Sequence, residues 1–315
     1  MSTIPFARWS HSTLNTLLDG CAYQAWLDKV VKPEQQGARD HPRAAVGTAF
    51  HAAVEYAERA RWRDLYAGRP VAGVTLDELM DVASDALVGC DVDWGTHDVH
   101  AAAEELGVAL AHWLWGVIPD GQPGAGDSLA SRVARWRPVG VEHWFTLWAP
   151  HATSRPTVGA ADGVYVDEAA GELVVVDQKQ ARDFRRYPLD GSRNRLQAAM
   201  YARAAVEALH LPPWLTGGLP RVEFHVSRCA QGSRADFEPV RVIAVQPDES
   251  DLETLDLRAH HGDTVVWYGE VEKNPDWFLC QPEWCPHHVQ AGGTCDPVAP
   301  PEFPVDVSRA PLPVW

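Results

Sequence analysis

The sequence predicts an α/β protein with a mixed central sheet, flanking helices and a helical N-terminal part. Apolar residues recur at helical spacing in the first third of the chain. Three runs rich in Val, Thr and aromatic residues follow, and this composition is typical of strands. The predicted helices cover residues 10–30, about 43–62, 76–89 and 99–118. The predicted strands are VGVEHWFTLWAP, PTVGAADGVYVD and GELVVVDQK.

The remaining elements alternate between helix and strand, which completes the α/β order. They are a helix at 194–209, strands at 221–228 and 239–245, and a helix at 249–270. We therefore divide the chain into a helical part (1–135), a core (136–275) and a Cys-rich segment with a Pro-rich tail (276–315) that packs on the same domain.

Composition excludes a membrane protein and raises a question about partners. No apolar run approaches the roughly 20 residues that span a bilayer, and the N-terminus lacks a signal-type stretch. We therefore expect a cytoplasmic protein. The net charge of −16 is unfavourable for a nucleic-acid binder unless basic residues cluster locally.

The strongest chemical signal is a predicted hairpin around residue 170. The turn-type sequence DEAAGE separates two strands, and a regular hairpin would place Asp162 opposite Asp177. Lys179 lies two residues after Asp177, so both side chains point to the same face. Two carboxylates and a lysine at one point suit Mg²⁺ or Mn²⁺, which would polarise a phosphate oxygen. The alternative is a surface hairpin with an ordinary Asp–Lys pair.

Four short motifs, taken in order, resemble the RecB-like exonuclease branch of the PD-(D/E)xK nucleases. They are VGTAFH with Gly47 and His51, GAADG with Asp162, VVVDQK with Asp177 and Lys179, and RLQAAMYARA with Gln197 and Tyr201. The resemblance covers about residues 10–295 and implies a restriction-endonuclease-like fold. Gln180 departs from the family, which usually has Thr or Ser shortly after the lysine.

The resemblance also implies roles for individual residues. Metal ligands would be His51, Asp162, Asp177 and the Gln178 carbonyl. The catalytic set would comprise Asp162, Asp177, Lys179, Gln197 and Tyr201. Glu55 would assist through a water, and Glu142 lies before the first of the three strands, where the family often has an acidic residue. A core histidine is the alternative interpretation of His51.

A basic segment follows the Asp-x-Lys strand directly. Its cations suit phosphates, and Phe184 and Tyr187 between them suit unpaired bases. The arginines are Arg182, Arg185, Arg186, Arg193 and Arg195. We therefore expect this segment to bind DNA, although a solvated loop would have the same composition.

The cysteines resemble those of the iron–sulfur nucleases of this family, including the CRISPR-adaptation type. One lies near the N-terminus and three lie near the C-terminus, which implies a [4Fe–4S] cluster. The four are Cys21, Cys280, Cys285 and Cys295. Because His287 and His288 lie within the same segment, zinc and a metal-free site stay open. Cys90 and Cys229 are isolated, and we expect them to be structural.

Together these features predict a Mg²⁺- or Mn²⁺-dependent DNA exonuclease. It would act on single strands or duplex ends in DNA repair, recombination or phage DNA processing, with a helicase or recombinase as a conceivable partner. One alternative is a non-catalytic DNA-binding subunit that keeps the nuclease fold. Another is an unrelated metal hydrolase acting on a small molecule, which the basic segment disfavours.

Overall fold

The structure, a computed structural model, describes most of the chain. The described residues are 8–26, 42–92, 94–95, 98–116, 128–147, 155–208, 218–230 and 237–268. They belong to two compact units. The first holds the described residues within 39–145 and 160–249, and the second holds those within 1–38, 146–159 and 250–315.

Helices precede the sheet and alternate with its later strands, as the sequence predicts. They are α1 (His11–Leu18), α2 (Ala22–Trp26), α3 (Pro42–Tyr66), α4 (Leu76–Gly89), α5 (Val99–Trp115), α6 (Leu129–Ala134), α7 (Arg195–Ala208) and α8 (Glu249–Tyr268). A short 3-10 helix, Ser192–Asn194, leads into α7. None of the helices in the described part of the chain combines the length and apolar character needed to cross a bilayer.

Two helix predictions need correction. The single helix expected over 10–30 is interrupted, because α1 ends at Leu18 and the pair Asp19–Gly20 separates it from α2. Glycine is unfavourable inside a helix, and the Asp19 N–H already closes the last turn on Asn15. The second correction is α6, which the sequence pattern missed since six residues are too few to show a helical period.

Five strands form one mixed sheet in the order β1-β2-β3-β4-β5. They are β1 (Arg137–Leu147), β2 (Thr157–Asp167), β3 (Glu172–Ala181), β4 (Arg221–Arg228) and β5 (Val240–Val245). β2 and β3 are antiparallel, β3 and β4 are parallel, and β4 and β5 are antiparallel. The central strand β3 carries the run Leu173–Val176, whose residues are at most 1% exposed.

The helices of the first unit share one apolar cluster. Ala49, Phe50 and Ala53 of α3 are fully buried there against Leu79 of α4 and Leu110 of α5. The alternation of small and large side chains lets these helices approach closely. This packing fixes α3, the helix that carries the predicted His51.

Buried polar contacts hold the segments of the second unit to one another. The indole N–H of Trp9 donates to Asp263 over 2.9 Å, and Arg155 pairs with the same carboxylate at 2.6 Å. Trp9 also bridges Thr157. The segment before α1, the start of β2 and helix α8 are therefore held together in this unit.

A buried ion pair supports β4 beside the central strand. Glu223 is fully buried and receives two hydrogen bonds of 2.7 Å from the Arg132 guanidinium of α6. His225 lies 2.9 Å from the same carboxylate. Burial alone would raise the pKa of Glu223, but the bonds from Arg132 and His225 lower it to about 2. The carboxylate therefore stays charged inside the protein.

We expect Glu223→Gln to reduce the free energy of unfolding by about 3 kcal/mol at neutral pH, since it breaks a buried pair. The wild type loses this contribution as pH falls from the ordinary glutamate value of 4.5 towards about 2. The difference in free energy of unfolding between the wild type and Glu223→Gln should therefore become smaller at acidic pH. Urea denaturation at several pH values measures this difference.

Glu168→Gln is the matched control, because Glu168 pairs with Arg137 at 2.8 Å but is 69% exposed. Its effect should be at most about 1 kcal/mol. Equal effects of the two substitutions would show that burial does not strengthen the Glu223 pair.

Candidate active site

The β2–β3 hairpin brings the two predicted aspartates together. Its register pairs Val166 with Leu173 and Gly163 with Val176, as the sequence predicts. Asp162 and Asp177 follow immediately at the end of this register. The Gln178 N–H donates to an Asp162 carboxylate oxygen, which ties the two strands at the site.

Asp177 is 1% exposed and its carboxylate is held from two sides. Lys179 Nζ lies 2.6 Å from Oδ2, and the Tyr201 hydroxyl donates to Oδ1 over 2.8 Å. Gln197 Nε2 lies 3.0 Å from the Tyr201 hydroxyl and 3.5 Å from Asp177 Oδ1. One turn separates Gln197 from Tyr201 on α7, so both reach the same carboxylate.

The charges of this group depend on one another. Burial raises the pKa of Asp177, Lys179 counteracts this, and the negative charge of Asp162 raises it further. Burial alone would lower the pKa of Lys179, but the charges of Asp177 and Asp162 raise it above its ordinary value. Lys179 is therefore a protonated, mostly buried cation beside two carboxylates.

A second group surrounds Asp162, midway along β2. Ligand atoms of His51, Glu142 and Asp162 lie within 4.8 Å of one another, and we call these three residues the acidic cluster. His51 Nδ1 is 3.3 Å from Asp162 Oδ1. Burial alone would lower the pKa of His51, but its hydrogen bond and charge interaction with Asp162 raise it. One imidazole nitrogen and two carboxylates form a donor set that fits a divalent cation.

Glu142 lies within β1, not before it as the sequence analysis expected. Its φ is 48°, and it is the one non-glycine residue with positive φ among the described residues. Pro138, Gly140 and Val141 are buried before it, and Phe145 and Leu147 are buried after it. This left-handed backbone departs from regular strand geometry at a residue of the acidic cluster.

The acidic cluster opens into a cavity of about 490 Å³. The cavity is lined by Ala44, Gly47, Thr48, His51, Ala52, Glu55, Glu142 and Asp162. Burial raises the pKa of Glu142 to about 7, and the charges of Asp162 and Glu55 contribute. Negative charge is thus concentrated in a small volume, which a bound cation would relieve.

Glu55 lines this cavity and also pairs with Arg59, one turn later on α3. From the sequence we predict that Glu55 assists through a water. Its position in the cavity wall is compatible with that role, which stays a prediction.

A buried network ties α3 to β2 behind the acidic cluster. The Tyr165 hydroxyl donates to Glu58 over 3.1 Å, and Arg61 pairs with the same carboxylate at 3.0 Å. Arg61 also donates to the Trp136 carbonyl. Glu58 lies two turns after His51, so this network fixes the helix that presents the imidazole.

Three of the predicted DNA-binding arginines are engaged with carboxylates. Arg182 pairs with Glu105, Arg185 with Asp183 at 3.1 Å, and Arg195 with Asp248 at 3.2 Å. Arg186 and Arg193 are exposed. The local surplus of positive charge is therefore smaller than the sequence suggests.

The predicted cysteine site lies largely outside the described residues. Cys280, Cys285, Cys295, His287 and His288 all fall there. Cys21 is buried, and its sulfur accepts the Gln24 N–H at 3.4 Å. An iron–sulfur or zinc site stays a prediction.

The two isolated cysteines have ordinary structural surroundings. Cys229 is buried, which raises the pKa of its thiol. The Cys90 thiol donates to the Ala86 carbonyl at 3.3 Å.

Comparisons with known proteins gave a family match and one structural likeness. The sequence profile of the PD-(D/E)XK nuclease superfamily matches residues 8–290. A solved structure of a "Putative exonuclease" from Eubacterium rectale aligns at 11% identity and a TM-score of 0.45, over 87% of each chain. A search of curated proteins found no match.

The family match thus defines the class of protein as a nuclease. The chain belongs to the PD-(D/E)XK nuclease superfamily, because that profile spans most of its length.

The left-handed backbone at Glu142 allows a test of stored strain. Without metal, Glu142→Gly should be more stable than Glu142→Ala by about 1 kcal/mol, because only glycine adopts this conformation without steric cost. Both variants lack the carboxylate, so their difference in denaturation midpoint isolates the backbone.

Thr146, an exposed position of the same strand, provides the control. There the glycine variant should be the less stable one, since glycine weakens a regular strand. If the glycine variant is less stable than the alanine variant at Glu142 as well as at Thr146, the strained conformation is wrong.

Proposed function

We propose that this nuclease is a divalent-metal-dependent DNA exonuclease that hydrolyses phosphodiester bonds at the acidic cluster. The observation that carries the proposal is the convergence of His51, Glu142 and Asp162 beside the buried pair of Asp177 and Lys179. The superfamily match supports a nuclease, while metal dependence and the choice of DNA are our inference.

The acidic cluster would hold the cation, and Asp177 would lie close by, because the N–H of the next residue, Gln178, bonds Asp162. Imidazole is a poorer ligand for Mg²⁺ than for transition-metal ions, so we expect Mn²⁺ to bind at least as well. When bound, the cation would polarise the scissile phosphate and lower the pKa of an attacking water.

Lys179 would stabilise charge that develops on the phosphate. Its ammonium group is held protonated by the two aspartates, and a fixed cation in a mostly buried site acts strongly on a transition state. Tyr201 and Gln197 would keep the Asp177 carboxylate oriented, since both bind Oδ1.

Exonuclease action and a role in DNA repair, recombination or phage DNA processing follow from the family resemblance. We also propose a cytoplasmic location and DNA ends as substrate, with exposed Arg186 and Arg193 as candidate phosphate contacts. A helicase or recombinase partner stays an expectation from the same resemblance.

The test is degradation of end-labelled single- and double-stranded DNA in Mn²⁺ or Mg²⁺. Asp162→Asn and Lys179→Met should each lower the rate by at least about 100-fold, because each removes a group that acts at the reacting phosphate. Glu168→Gln, on the exposed hairpin turn, should match the wild type.

Metal binding is measured separately by titrating Mn²⁺ and following its paramagnetic signal. Glu142→Gln should weaken binding by at least about tenfold, because a charged ligand is lost. DNA binding without cleavage by the wild type in either metal would refute the hydrolytic proposal and favour a non-catalytic DNA-binding subunit.

The orienting role of Tyr201 gives a further prediction. Tyr201→Phe should lower kcat by about tenfold with little change in KM, since one hydrogen bond to a charged group is lost. Tyr66→Phe is the control, because the described contacts of the Tyr66 hydroxyl are with Pro138 and Arg137, at the end of α3 away from His51. An unchanged kcat for Tyr201→Phe would contradict the role.

A further inference from the structure

Two exposed aromatic side chains lie close in sequence to residues that line the cavity of the acidic cluster. Trp144 follows Glu142 by two residues on β1 and is 73% exposed. Every other tryptophan whose burial the structure describes is buried or half-buried. Tyr56 follows the cavity-lining Glu55 on α3 and is 41% exposed. An exposed aromatic ring this close in sequence to a cavity residue is a candidate contact for a ligand.

The backbone next to Trp144 is held firmly. Its neighbour Phe145 is 4% exposed and packs edge-on against Tyr201, with ring centroids 6.0 Å apart. Tyr201 in turn bonds Asp177. Two residues of strand span about 7 Å, so Trp144 is presented at a short, fixed distance from Glu142.

The position of β1 leaves room for a ligand. β1 is an edge strand of the sheet, so within the described sheet no further strand lies beyond it. Most of the Trp144 surface is also open to solvent, so its ring can accept a flat partner.

The distribution of charge near the site favours base stacking over phosphate contacts as a source of affinity for DNA. The acidic cluster repels phosphates unless a cation is bound, and the ion pairs of Arg182, Arg185 and Arg195 reduce the local positive charge. Stacking of bases on aromatic rings needs no charge and works with every base. It would provide affinity for DNA that the phosphates cannot provide here.

We propose that Trp144, assisted by Tyr56, is a stacking subsite for unpaired nucleobases next to the phosphate held at the acidic cluster. Single-stranded ends are then the preferred substrate, because paired bases must first leave the duplex stack. This inference rests on the proposed function for the location of the phosphate.

The test measures binding without hydrolysis. Fluorescence anisotropy of a labelled oligothymidine and of a blunt duplex is recorded in Ca²⁺, with the full chain. Trp144→Ala should raise the Kd for the single strand by about tenfold, and Trp144→Phe should stay within about threefold of the wild type. Binding of the duplex should change by less than about twofold in either variant.

Tyr66→Ala is the matched control. Tyr66 is 60% exposed on the same helix as Tyr56 but lies fifteen residues beyond His51, about 22 Å along the axis. Its removal should leave single-strand binding unchanged.

Oligonucleotides with one abasic position identify the stacked base. At one position near the end, loss of the base should weaken wild-type binding by about tenfold but should not weaken binding of Trp144→Ala. Abasic positions that affect both proteins equally would overturn the subsite. An unchanged Kd for Trp144→Ala, equal weakening for duplex and single strand, or no single-strand binding by the wild type would also overturn it.

These outcomes separate the two proposals. If the wild type binds single strands through Trp144 but never cuts DNA, the hydrolytic proposal fails and the subsite stands. If the protein cuts DNA and Trp144→Ala binds as the wild type does, the subsite alone fails.

Discussion

The Asp177 carboxylate lies on the central strand with almost no access to water. The surrounding side chains stabilise its ionised form. An isolated buried carboxylate is expensive unless it is paired and hydrogen-bonded. Lys179 supplies the pairing charge from the same strand, while Tyr201 and Gln197 supply hydrogen bonds from α7. The placement of α7 beside β3 therefore determines how this one buried charge is stabilised.

A separate network fixes the other half of the site. Glu58, Arg61 and Tyr165 join α3 to β2 with buried, charge-assisted bonds, and such bonds are strong and directional. His51 lies on this helix and Asp162 lies on this strand. Because the two halves are held by different networks and meet at the end of the β2–β3 hairpin, small movements of either helix would change the spacing of the ligand atoms.

The sequence was sufficient where local rules decide the structure. The hairpin register followed from the turn length and the two-residue period of strands, so the adjacency of Asp162 and Asp177 could be predicted. The backbone conformation at Glu142 could not, since a glutamate carries no signal for a left-handed backbone. The pairing of Arg182 with Glu105 joins residues 77 positions apart, and composition alone cannot reveal such a contact.

Two features of the cavity reduce stability without improving packing. Glu142 holds a strained backbone, and Gly47 lies inside α3 although a Cβ there would meet nothing within 4 Å. Glycine inside a helix costs about 1 kcal/mol relative to alanine, so packing does not explain its presence. Both residues line the cavity that contains His51 and Asp162. Open space at Gly47 and the carboxylate of Glu142 border the same small volume, and a loss of stability at both positions is expected if this volume is the proposed site.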